Sequence, residues 1–269
     1  RLQLTSGARW TYDERDVVAS AFMYDVSGLR HVQHGLDEAL DRLLFYTVPE
    51  GRYRQDWSAW SGRLILDYSI SDDVMVWGGV SRGFKGGEFN IGLFASVVPD
   101  LSDPEYVTSF EAGIKSRLLG GKMLFNASAF VYDYEDMHML VVGPADPNDP
   151  STPNVTRQTN AGAATIRGVE AELTYRPTER WYLYAQVGWL DAEFDEFKTS
   201  VAGQMVDLAG NELPRAPDLT GSVLARYTLP VPGGAVTFQG SYLYHGKEFY
   251  TETNNAREWG PSYELLGAR

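Results

Sequence analysis

The 269 residues carry 23 Lys and Arg against 36 Asp and Glu, a formal charge of −13. That balance speaks against a nucleic-acid partner, whose phosphates need clustered cations, and the absence of cysteine removes disulfides, thiolate metal sites and a cysteine nucleophile. An aromatic content of 13 % is too high for a disordered acidic chain. No apolar run of about 18 residues occurs, so no transmembrane helix is predicted; transmembrane strands, whose alternating signal is weak, remain open.

The first strand signal comes at once. Leu2, Leu4, Ala8, Trp10 and Tyr12 alternate with Arg1, Gln3, Thr5, Arg9 and Thr11, giving one apolar and one polar face. Between 29 and 46, Leu36, Leu40, Leu43 and Leu44 fall at helical spacing, which predicts a short amphipathic helix ended by Pro49-Glu50-Gly51. Strand-like segments follow around 60–70 and 74–82. Phe110, Ala112 and Ile114 then alternate with Glu111, Gly113 and Lys115, and a further strand is predicted over 123–134. Val169, Ala171, Leu173 and Tyr175 alternate with Gly168, Glu170, Glu172 and Thr174. The same period of two recurs from Trp181 to Trp189, from Leu219 to Leu229 and from Val236 to Tyr244, and a last pattern runs from Tyr263 to the end. Ten strands are expected.

Their connections alternate in length. Short ones built from turn residues fall at 71–73, 119–121, 177–179 and 230–234, and long ones at about 13–57, 84–107, 138–163, 195–217 and 250–261. Short turns on one rim and long loops on the other is the pattern of an outer-membrane barrel. Aromatic residues near strand ends and opposite charges along the polar faces (Glu111 with Lys115 and Arg117; Arg63 with Asp67) favour a wet lumen inside a lipid-facing wall. A soluble sandwich would share the alternation but use shorter strands. The expected fold is all-β, an antiparallel transmembrane barrel wall over 1–269 with no second domain. The chain begins without Met and stops within a strand pattern, so it is expected to be a piece of a longer polypeptide.

Several motifs sharpen this. Ser81-Arg82-Gly83-Phe84-Lys85-Gly86-Gly87-Glu88-Phe89-Asn90 resembles the "SRGFKxGGFN" strand end of TonB-dependent outer-membrane receptors, with Glu88 inserted before the Phe. Phe110-Glu111-Ala112-Gly113-Ile114-Lys115 is similar to their "YEAGLK" strand. Asn160-Ala161-Gly162 with Gly168-Val169-Glu170 is similar to "NAG…GVE". Leu190-Asp191-Ala192-Glu193-Phe194 and the stretch Asn211-Glu212-Leu213-Pro214-Arg215-Ala216-Pro217 resemble "LDAEF" and "GNxLPxAP", and all five occur in family order. The resemblance implies a 22-strand barrel filled by an N-terminal plug, of which about ten strands and no plug are present in this chain. It also implies an outer-membrane transport receptor for a scarce solute, most often a ferric siderophore, driven by the TonB-ExbB-ExbD complex acting on the plug. Cobalamin, haem and oligosaccharides are other cargoes of the family.

Capture would be binding, not chemistry. Candidate cargo contacts chosen by side-chain type at the loop mouths are Trp57, Arg82, Phe84, Lys85, Phe89, Arg157 and Tyr250. Arg and Lys suit carboxylate or catecholate oxygens, and the aromatics suit ring systems. His31 and His34 with Asp37 and Glu38 have the spacing for metal ligation on a helix, but a solvated polar face is the plainer reading. Asp133, Glu135 and Asp136 before His138 read as the polar rim where a strand leaves the membrane, with a Ca²⁺ site as the alternative. No metal or cofactor is assigned, and no Ser/His/Asp spacing suggests an enzyme. Other classes that share the alternation are a passive porin, which lacks the plug, and a soluble carbohydrate-binding β-domain.

Overall fold

The computed structural model describes residues 1–19, 23–24, 31–32, 51–90, 100–146, 149–201 and 204–269. Ten strands form one antiparallel sheet in chain order. They are β1 (Leu2–Ala19), β2 (Gly51–Ser69), β3 (Val74–Lys85), β4 (Glu105–Leu118), β5 (Met123–Asp146), β6 (Asp149–Tyr175), β7 (Trp181–Val201), β8 (Leu219–Val231), β9 (Gly234–His245) and β10 (Tyr263–Ala268). Each pairs with its neighbours in sequence, as strands joined by direct reversals must. The sheet is open, with β1 at one edge and β10 at the other.

Register places all the apolar faces on one side. Leu66 opposes Leu4; Val80 opposes Phe110, which opposes Val131. Val169 opposes Ala129 and Trp189, and Trp189 opposes Leu219. On this outer face Phe110 is 55 % exposed, Val169 46 % and Val223 49 %, with no second sheet against them. A sandwich would bury these side chains. Here the only solvent that suits them is lipid. The other face carries Arg63, Asp67, Lys115, Glu111, Glu170, Glu172 and Gln186 at the alternate positions, as a wet interior requires. Arg117, expected to pair with Glu111, instead binds Asp73 in the adjacent turn at 3.0 Å, because it sits at the very rim.

The short turns fall where turn residues predict. Between β4 and β5, Leu119, Gly120 and Gly121 take φ of 55°, 65° and 85°, a left-handed run that two glycines make inexpensive. Near this rim Trp181 packs on Tyr227 with ring centroids 4.8 Å apart, and Phe238 opposes Tyr227, an interfacial aromatic cluster. Trp10, opposite Trp60 and stacked with Tyr12 at 6.3 Å, marks the other border.

On the long-loop side the strands outrun their predicted limits. β1 pairs with β2 through Ala19 and Gly51, β5 with β6 through Asp146 and Asp149, and β7 extends to Val201. The loops expected at 13–57, 138–163 and 195–217 are therefore shorter than predicted. With water on both faces the apolar period fades while the backbone ladder continues, held by cross-strand pairs such as Arg54–Glu14 at 2.5 Å. Of the helix expected over 29–46, only His31 and Val32 are described, and they form a strand pair with Met23–Tyr24, which corrects the helix at that point. The rest of that segment, with His34, Asp37 and Glu38, lies outside the described residues.

The register makes a direct test. Leu173→Arg puts a charge on the lipid face and should cost about 2–4 kcal/mol of folding stability near the bilayer midplane, while Glu172→Arg on the inner face should cost far less. Urea-driven unfolding into and out of vesicles measures both. A reversed order would mean the strand is shifted by one residue, and equal costs would mean that neither face is the lipid face.

Candidate functional site

At the long-loop rim the strand end Ser81–Lys85 leaves the wall at Gly86-Gly87, and Glu88–Asn90 pairs with Asp100–Ser102 as a small hairpin. Gly87 is required by proximity. A Cβ there would lie 2.4 Å from the Trp57 ring and 2.5 Å from the Ser102 carbonyl oxygen. Trp57, on the inner face of β2, is buried as a result; its indole N–H donates to Asp103 Oδ1 at 3.0 Å and its ring meets Phe89 edge-on at 6.4 Å.

A polar network ties the same hairpin to the far wall. Lys85 Nζ donates to His138 Nδ1 at 3.1 Å and lies 3.8 Å from Glu88 and 3.9 Å from Glu105. His138 Nε2 lies 2.6 Å from the Asp103 carbonyl oxygen, which can only accept, so Nε2 carries a hydrogen and donates there, while Nδ1 also has the Gln158 amide at 3.2 Å. The His138 backbone N–H donates to Glu105 at 2.7 Å. Asn160 closes the set, donating to the carbonyls of Asp103 and Asp136 at 2.8 Å each and accepting the Asp103 N–H at 2.7 Å. Gln158 donates to Glu88, and this bond holds the Glu88 carboxyl below the usual glutamate range against its partial burial, with Lys85, His138 and Arg15 adding to it.

Beside it lies an apolar cluster of Val141, Ala164, Phe194, Phe197 and Leu208, with Met137, Met139, Tyr134 and Leu213 around it. Phe194 and Phe197 pack at 5.1 Å. Gln204–Asp207 folds back on the end of β7, and Leu208 follows into the cluster. Further round, Asn254 grips the backbone of Glu212 from both sides, accepting at 2.7 Å and donating at 2.9 Å, and Arg215 N–H donates to Phe249 O at 2.7 Å. The Asn211–Pro217 motif thus joins two long connections.

The structure gathers only some of the candidate residues. Trp57, Lys85 and Phe89 meet at the hairpin. Arg82 and Phe84 point the other way: Arg82 binds Glu135 and Thr108 at 2.8 Å each and lies 4.8 Å over Tyr106, and Phe84 packs on Tyr106 at 6.3 Å, all on the outer face. Residues an odd number of positions apart in one strand take opposite faces, so Arg82 and Lys85, three apart, cannot converge on one ligand. Tyr250 stands at another part of the rim, 51 % exposed, its N–H bonded to Glu258 O. Arg157 pairs with Val141 in the ladder, and its side chain lies outside the described residues. Asp133 and Glu135 face outward, and Asp136 has a φ of 56° at an irregularity of the ladder; among the described residues no three acidic or histidine groups converge on a metal position. His138, Gln158 and Asn254 escaped sequence reasoning, because each works through a partner more than 15 residues away in the chain.

The family model for the TonB-dependent receptor-like β-barrel matches residues 1–269. The chain belongs to the TonB-dependent receptors. This is a family of outer-membrane barrels of Gram-negative bacteria, transport receptors and not enzymes, so the apolar outer face described above is the face turned to the outer membrane. The probable TonB-dependent siderophore receptor PiuA of Acinetobacter baumannii is 25 % identical over 169 residues, which cover 60 % of this chain and 20 % of PiuA. Among solved structures, the ferric yersiniabactin uptake receptor FyuA of Yersinia pestis superposes with a TM-score of 0.74 at 17 % identity, covering 100 % of this chain and 35 % of FyuA. The siderophore receptor PiuA of Acinetobacter baumannii superposes with a TM-score of 0.69 at 18 % identity, over 99 % of this chain and 34 % of that receptor. This receptor chain thus spans about a third of the length of these relatives.

Two outcomes test the rim. Gly87→Ala should loosen the hairpin by about 1–3 kcal/mol through the clash with Trp57. It should speed protease cleavage within 86–103 and leave the wall's resistance to heat in detergent unchanged. Lowering the pH should release the Glu88 anchor. A carboxyl held low in the folded state stabilises it above the ordinary glutamate range and loses that effect as pH falls through the lowered value. Gln158→Leu should move the loss to higher pH, read from the emission of Trp57 by difference from Trp57→Phe.

Proposed function

We propose that the receptor containing this wall binds a ferric siderophore or similar iron complex at its extracellular rim and imports it with energy from TonB. The observation that carries the reading is the match of the whole chain to the family, joined to relatives whose names specify siderophore uptake. The TonB-ExbB-ExbD complex acts through a plug region that this chain does not contain. The long-loop rim is the extracellular one, on the general pattern of outer-membrane barrels, which carry short periplasmic turns and longer extracellular loops. Phe89 and Tyr250 are the proposed cargo-stacking groups, with Trp57 and Lys85 fixing the hairpin that presents Phe89.

Uptake of radioactive ferric siderophores by cells whose only iron receptor is the full-length protein tests this. Uptake should need both the receptor and TonB. Uptake that persists without TonB would identify a diffusion channel, and no uptake of any iron complex would end the iron reading. Single cysteines give the orientation. An impermeant maleimide should label intact cells at Asp207→Cys and Glu252→Cys and spare Asp72→Cys, Gly120→Cys and Thr178→Cys. The opposite pattern would invert the wall.

A further inference from the structure

The outward aromatics fix the height of the lipid band. Trp60 and Tyr68 on β2 stand eight residues apart on the outer face, and Trp189 and Trp181 on β7 repeat that spacing. The ladder runs from Trp189 through Val169, Ala129, Ala112 and Gly78 to Leu66, six residues nearer the short turns than Trp60. Six residues are about 20 Å along a strand and five strand spacings about 24 Å across, so Trp60 and Trp189 stand at one height when the strands tilt by about 40°. That is the tilt of outer-membrane barrels, and it sets the two aromatic lines about 21 Å apart, close to the height of an outward apolar band (about 25 Å). The line from Trp60 to Trp189 crosses β3 beside Arg82 and β6 beside Arg167, both on the outer face, where Arg82 opposes Gly62 and Thr108 and Arg167 opposes Val131. The carboxylates of this face stand farther from the hydrocarbon: Asp133 and Asp191 one outward position above the line, Glu135 and Glu193 two.

A guanidinium has five N–H donors. Arg82 spends one on Thr108 and one on Glu135 and lies 4.8 Å over the Tyr106 ring. Arg167 makes no hydrogen bond to the described residues; its ion pair with Asp191 is 3.9 Å long, and 60 % of its side chain is exposed. Donors left open at the edge of hydrocarbon are costly unless something accepts them, and lipid headgroups are the groups at that height. Phosphate oxygens fit the planar fork of a guanidinium, and the carboxylates stand above, in water, where they do not face the phosphate layer. We infer that Arg82 and Arg167 bind the phosphates of outer-leaflet lipids, so that this arc of the wall holds ordered anionic lipid at its upper aromatic border. This rests on the long-loop rim being the extracellular one.

The test titrates the full-length receptor in mild detergent with diphosphoryl lipid A and counts bound lipid by native mass spectrometry. The receptor should retain the lipid, and Arg82→Gln combined with Arg167→Gln should weaken retention by about tenfold or more. Arg167→Gln alone breaks no hydrogen bond within the wall, so it should give part of that loss and decides the matter where the double variant fails to fold. Arg226→Gln, on the inner face beside Gln239, should leave retention unchanged. The same lipid without its phosphates should bind the unaltered receptor no better than the double variant, and inorganic phosphate should not displace the intact lipid. Equal retention by unaltered and altered receptors, or equal retention of the phosphate-free lipid, overturns the inference. Displacement by inorganic phosphate overturns it in favour of a small-anion site. Maleimide labelling that inverts the wall overturns it by moving both arginines to the inner leaflet. None of the lipid results bears on iron uptake, so the transport reading stands or falls separately.

Discussion

In hydrocarbon every backbone N–H and C=O must find a partner inside the protein, and the rest of this structure depends on that requirement. A ladder of long antiparallel strands meets it across the membrane. Once the ladder exists, the pleat sends alternate side chains to opposite faces, and a register that lines up Leu4 with Leu66 and Val169 with Trp189 puts one kind of residue in lipid. The wall needs no core of its own. Its buried apolar residues, among those described, sit at the long-loop rim, from Trp57 and Ala59 to Phe194, Phe197 and Leu208.

The rim obeys different physics because water reaches both faces there. Strands continue only where cross-strand side chains reward pairing, as Arg54 and Glu14 do, and connections stay in place only where local contacts pin them. Three devices serve: a glycine that lets an indole close on a carbonyl at Gly87, an apolar cluster sealed by Leu208, and an asparagine that mimics a backbone strand at Asn254. The first and third link segments far apart in the chain, so the loops hold one another above the wall. The strand-end motif at 81–90 therefore has a structural role, as the anchor of a hairpin, whatever it contacts beyond the rim.

An open sheet of ten strands leaves two unpaired edges, which lipid does not accept, so closure of the barrel requires strands additional to these. The relatives of known structure agree, since the chain covers about a third of each. What this piece contributes is an arc of lumen wall with Glu111, Glu170 and Glu172 on its inner face.

The sequence by itself determined the strands, their order, the short turns and the family. Those features depend on local periodicity and on residues such as Gly120 and Gly121, whose conformational demands are written in a few neighbouring positions. Strand limits above the membrane were not legible, because the apolar period that reveals a strand comes from lipid and ends where lipid ends. Nor was the side on which a candidate falls: Arg82 and Lys85 look like one basic patch in sequence, yet the pleat sends one to Glu135 outside and the other to His138 inside. Only the tertiary structure decided that, along with the partners of His138, Gln158 and Asn254. Hydrogen bonds between residues 20 to 70 positions apart are set by register across several strands, and no local pattern records them.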